Sequence, residues 1–168
     1  MSSFDDLEFT EVEVSPEVAA HIRGESGSDP ASIGSAMQAA FDKLMSFLQL
    51  HSLVPAGPPR AIYTSYGPEG AKFIVAMPIA APSRLPMEGD MGYVDNIAGG
   101  KALRFTHRGP YPELMRTYGR ITQFMQEKGL LESEADWVRY MPMWEEYVND
   151  PRTTPAADLV TYIYLPVA

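Results

Sequence analysis

The apolar positions of the chain fall into two periods. Ile33, Met37, Phe41, Leu44 and Leu48 follow one another at spacings of four, four, three and four. That is the stripe of an amphipathic helix; it predicts a helix over Ser32–His51, capped by Asp29 or Ser32. Leu114, Tyr118, Ile121 and Met125 repeat the spacing and predict a second helix between Pro112 and Lys128, ending at Gly129. Alternating or continuously apolar runs predict strands over Thr10–Arg23, Arg60–Tyr66 and Lys72–Pro78 around the first helix. Around the second helix they predict strands over Lys101–His107, Arg139–Val148 and Leu159–Pro166.

The two sets resemble each other. "FIVAMPIA" at 73–80 and "TYIYLPVA" at 161–168 share an ending, and "HIRG" at 21–24 and "THRG" at 106–109 each precede a predicted helix. Each set reads strand, helix, strand, strand. The expected fold is therefore α+β, built from duplicated units related by a pseudo-twofold axis. Each unit would carry one helix, and two antiparallel sheets would form a central groove. One domain spans 1–168, with a first repeat over about 8–80, a proline- and glycine-rich connection over about 81–99, and a second repeat over about 100–168. Grooves at such junctions commonly take ligands.

Composition narrows the function. A chain of 168 residues, 45% hydrophobic, can bury one core or two closely packed halves without a partner. Its 13 basic and 22 acidic residues give a net charge of −9, which repels phosphate backbones and attracts cations, so direct nucleic-acid binding is not expected. There is no cysteine, and "MSSFDDLEF" has neither the basic nor the apolar region of a secretory signal, so the expected location is cytoplasmic. The longest apolar run, around "FIVAMPIAAP", falls well short of the ~20 residues of a membrane helix. His21, His51 and His107 lack the spacing of paired metal ligands. "GGK" at 99–101 lacks the earlier glycine of a phosphate loop, and Ala102 stands where its hydroxyl residue would be. No metal and no cofactor are expected.

What remains is aromatic and acidic. Tyr140, Trp144, Tyr147, Tyr162 and Tyr164 crowd the late strands with flat surfaces and polar handles. Within "MWEEYVNDP", strand alternation sets Met143, Glu145 and Tyr147 on one face and Trp144, Glu146 and Val148 on the other. Alternation alone does not say which face is inward.

The run "WEEYVNDPRTTPAADLVTYIYLPV", preceded by "GGKALRFTHRGPYPELMRTYGRITQFMQEKG", resembles the GyrI-like small-molecule-binding domains, which are related to effector-binding domains of AraC-type and MerR-type multidrug regulators. The resemblance implies that Glu145 faces a ligand pocket while Glu146 lies outside it. It implies ligand contacts from Tyr147 and Tyr164, and more distantly from Tyr63 and Tyr111. It also implies three roles: a stand-alone binder that sequesters or senses drugs or toxins, a hydrolase of cyclopropane-bearing DNA-alkylating natural products that uses Glu145, or a modulator of a protein partner such as gyrase or a regulator. About thirty residues precede the first predicted helix, too few for a helix-turn-helix reader. Haem binding, known in a fold relative, finds no histidine in an axial position.

A carboxylate among rings carries a desolvation cost that a lipophilic cation offsets by pairing with it and stacking on the rings. Ten methionines add surface that can repack around different guests. The ligand class this predicts is amphiphilic, preferably cationic and aromatic.

Overall fold

The computed structural model describes residues 7–80, 87–88, 92–97 and 99–167. Part of the connection over 81–99 lies outside the described residues.

Helix α1 runs over Pro30–Leu50. Asp29 caps it, its Oδ2 accepting the Ser32 N–H at 2.9 Å, and Pro30 starts it at a position where no N–H is needed. Of the predicted stripe, Leu44 and Leu48 are enclosed and Met37 and Phe41 partly so; Phe47, outside that stripe, is enclosed beside them. Helix α2, Leu114–Glu127, follows a 3-10 turn over Tyr111–Glu113. It buries Ile121, Phe124 and Met125, and the chain leaves it through Gly129 at φ +72°, a conformation that glycine adopts without a Cβ penalty.

Nine strands follow in chain order: β1 Glu8–Val14, β2 Glu17–Ser26, β3 Arg60–Gly67, β4 Gly70–Pro78, β5 Met87–Glu88, β6 Tyr93–Ile97, β7 Gly100–Arg108, β8 Met143–Tyr147 and β9 Val160–Pro166. They form one antiparallel sheet in the order β1-β7-β9-β8-β3-β4-β2-β6-β5. This corrects the expectation of two sheets. Strands β3 and β8 pair from Arg60 opposite Glu146 to Tyr63 opposite Met143, so the strands around α1 and those around α2 join edge to edge. Each would otherwise leave a row of unpaired N–H and C=O groups at that edge. Within the sheet, β2-β4-β3 and β8-β9-β7 present the same strand order in mirror sequence.

Two other expectations change. The strand predicted over Thr10–Arg23 breaks at Ser15 and Pro16, where proline removes a ladder donor. Its register nevertheless carries on: Val14 faces Gly100 and Glu17 faces Ile97. The pairs β1–β7 and β2–β6 thus share one register, and residues 93–97 of the connection are strand. Gly99 of "GGK" lies close against the end of β1, where a Cβ would stand 2.1 Å from the Val14 carbonyl oxygen. The strand predicted over Arg139–Val148 begins only at Met143. Glu134–Tyr140 instead form a 3-10 helix, started by a capping box between Ser133 and Asp136.

Both helices cover one face of the sheet. One core gathers Phe105, Ile121, Phe124, Met125, Ile163 and Leu165 near α2, and another gathers Ile22, Leu44, Phe47, Phe73 and Val75 near α1. Tyr63 packs against both. On the opposite face Ala19, Ile62, Ala76, Ala102, Trp144 and Tyr164 form a third cluster.

Candidate functional site

Glu145 sits in the middle of the sheet, opposite Ala61 of β3 and Ile163 of β9. It shares the helix-covered face with Met143, which belongs to the core beside α2. Only 4% of the residue is exposed. Tyr118 of α2 donates a hydrogen bond to its Oε2, and Tyr147 donates to its Oε1 at 2.6 Å. Tyr147 in turn meets Phe41 of α1 edge to face, with ring centroids 5.8 Å apart. It meets Tyr111, from the turn before α2, in the same manner at 5.4 Å. The carboxylate therefore lies where β8 meets β3, one oxygen bonded to Tyr118 and the other to Tyr147.

Burial raises the Glu145 carboxyl above its ordinary value; the hydroxyls of Tyr118 and Tyr147 and the charge of His107 pull in the other direction. Burial and the neighbouring carboxylate drive the phenols of Tyr118 and Tyr147 well above theirs. Tyr63 and Tyr111 are raised as well, by burial first, with Glu145 contributing to both. Among the described residues no lysine or arginine forms an ion pair with Glu145. His107 is buried, its Nδ1 2.6 Å from Thr117 Oγ1 and its Nε2 3.2 Å from the Pro110 carbonyl oxygen. A carbonyl only accepts, so Nε2 carries the hydrogen. The rings close over the carboxyl; two surface clefts, one beside Arg23 and Lys43 and one beside Arg108 and Arg116, lie elsewhere.

Of the residues picked out in the sequence, Glu145, Tyr147, Tyr63 and Tyr111 come together. Tyr164 does not join them. The register sets it opposite Trp144, on which it stacks at 4.8 Å with the rings 10° apart, and its hydroxyl donates to Glu146 at 3.1 Å. Burial, followed by Glu146, pushes its phenol up to about 12. Glu146 also approaches Arg60, which pairs with Glu17 at 2.6 Å, so the second glutamate belongs to the other face. In the sequence Tyr118 and Phe41 stand out only as members of helix stripes. The one available signal was that Tyr118 brings a hydroxyl into an otherwise apolar stripe. Among the described residues no cluster of three or more His, Asp or Glu side chains could hold a metal, and no helix is long and apolar enough to cross a membrane.

The profile of the GyrI-like small molecule binding domain matches residues 26–168. The chain belongs to this family. Solved structures agree in fold. This GyrI-like chain superposes on the C-terminal domain of EcmrR with a TM-score of 0.71 at 15% identity, covering 96% of this chain and 98% of that one. In a complex of EcmrR with DNA the TM-score is 0.74 at 14% identity over 95% of this chain, which spans 57% of the EcmrR chain. SAV2435 bound to tetraphenylphosphonium gives 0.65 at 11% identity, covering 96% and 94% of the two chains. A hydrolase from Listeria innocua gives 0.57 at 14% identity, covering 96% and 92%. At these identities the likeness is one of fold. No curated protein matches the GyrI-like chain in sequence.

Proposed function

We propose that this GyrI-like chain binds amphiphilic, preferably cationic aromatic compounds on the helix-covered face between its two units, with Glu145 as the counter-charge. The observation that carries this is a buried carboxyl gripped by the hydroxyls of Tyr118 and Tyr147, with Phe41 and Tyr111 packed on the Tyr147 ring. No lysine or arginine pairs with it among the described residues. A carboxylate so placed favours a guest that brings positive charge and aromatic surface together. The two units, alike in element order and strand pairing, read as a duplication whose axis passes between β3 and β8, and the groove is the seam between their helices. A guest enters by displacing rings, for which the partly buried Tyr111 and Tyr147 are placed. Binding of this kind suits sequestration or sensing of drugs and toxins.

The test is calorimetric titration with tetraphenylphosphonium, a permanent lipophilic cation. Each cation–π contact contributes about 0.5–2 kcal/mol, so a few of them with the charge pair reach micromolar affinity. Glu145→Gln is expected to weaken binding tenfold or more; unchanged affinity overturns the assignment.

A second reading rests on the same carboxyl, which burial holds above its ordinary value beside two phenols, and on the hydrolase among the structural neighbours. Glu145 would take a proton from a water that attacks a cyclopropane carbon; the ring C–C bond breaks, and its electron pair passes to a conjugated carbonyl oxygen of the substrate that a phenol protonates. Ring-opened product in excess over protein, after incubation with a cyclopropane-bearing alkylator, would establish turnover.

A further inference from the structure

We infer that Thr161 is a ligand-contacting residue of this site, and that the compounds it serves are aromatic cations carrying a hydroxyl or carbonyl group. The inference rests on the binding reading above and names the chemistry of the guest.

Thr161 is the second residue of β9, opposite Tyr147 on one side and His107 on the other. Ile163 stands opposite Glu145, so alternation sets Thr161 on the same face as the carboxyl, as its diagonal neighbour. Such diagonal neighbours lie about 7–8 Å apart. Thr161 is 0% exposed, and its Oγ1 has no hydrogen-bond partner. The polar groups beside it are committed. The Tyr147 hydroxyl is spent on Glu145, and both ring nitrogens of His107 are taken, by Thr117 and by the Pro110 carbonyl.

Valine would fill this strand position with nearly the same shape and no unmet hydroxyl. Buried side-chain oxygens nearly always find partners, and one left unmatched in a binding face fits a partner that arrives with the guest. A hydroxyl both donates and accepts, so the complement is a neutral hydroxyl or carbonyl rather than a second charge. Tyr147 links the two contacts, because it is the cross-strand neighbour of Thr161 and a hydrogen-bond donor to Glu145. A guest that displaces its ring uncovers both.

Two probes of equal charge test this: tetraphenylphosphonium and its analogue with one ring hydroxylated, (4-hydroxyphenyl)triphenylphosphonium. Thr161→Val is expected to leave tetraphenylphosphonium affinity within twofold and to weaken the hydroxylated probe about fivefold, the effect of one neutral hydrogen bond. Thr161→Ser should keep the discrimination. The ligand-free Thr161→Val protein is expected to melt higher than the parent, which shows that it folds. If tetraphenylphosphonium binds but Thr161→Val shifts both probes equally or neither, this inference falls and the charge site stands. If tetraphenylphosphonium does not bind the parent protein, the site and this inference fall together.

Discussion

Tyr147 donates a 2.6 Å hydrogen bond to Glu145, two residues earlier on the same strand. That contact ties the acceptor to a ring that also touches α1 through Phe41. Together with the Tyr118 hydroxyl from α2, it links both halves of the protein to one carboxyl group.

Glu145→Gln should separate stability from binding. A buried charge with no lysine or arginine partner is costly, so the variant is expected to be more stable than the parent at neutral pH while losing affinity for tetraphenylphosphonium. Thermal melts with and without the probe read both effects. A variant that is less stable at neutral pH and keeps full affinity contradicts the reading of the site.

The pH dependence has a definite sign. Glu145 is raised above its ordinary value of 4.5 in the folded protein, so its contribution to stability is present below that value and is lost as pH rises through the folded one. The stability gap between Glu145→Gln and the parent should therefore shrink as pH falls from 8 to 5. Over the same window the affinity for tetraphenylphosphonium should rise with pH, since the ionised form pairs with the cation. Melts and titrations at several pH values check both trends.

Tyr118→Phe removes a donor to the ionised carboxylate. A hydrogen bond to a charged group contributes about 1.5–3 kcal/mol, and without it the Glu145 carboxyl should move still higher. The expected loss of stability is larger at pH 8 than at pH 5. Chemical denaturation at the two values measures it, and an equal loss at both would mean that the hydroxyl does not act through the charge.

Tyr164→Phe tests the division between faces. Its hydroxyl meets Glu146 rather than Glu145, so tetraphenylphosphonium affinity should stay within about twofold, the scale of a change under about 0.5 kcal/mol. A tenfold loss in calorimetry would place the guest on the other side of the sheet.

Gly99→Ala probes the close approach of the chain to the end of β1. The added methyl would stand 2.1 Å from the Val14 carbonyl oxygen, a backbone atom that moves only with its strand. A loss on the order of 3 kcal/mol or more, or failure to fold, is expected, read as a drop in denaturation midpoint.

Much of this architecture was legible in the residues themselves because it depends on local periods. The spacing from Ile33 to Leu48 and from Leu114 to Met125 marks the buried faces of both helices, and Asp29 caps the first as its side-chain chemistry suggests. Alternation in "MWEEY" sets Glu145 and Glu146 on opposite faces whatever the rest of the chain does. Other features depend on which strand meets which. A period of two says that a strand has two faces and leaves open which one the helices cover. It was the pairing of Trp144 with Tyr164 that carried Tyr164 away from Glu145, the pairing of β3 with β8 that merged two expected sheets into one, and the packing of α2 that brought Tyr118 to the carboxyl. Strand register and helix docking are settled by contacts between residues far apart in the chain, and no local pattern encodes them.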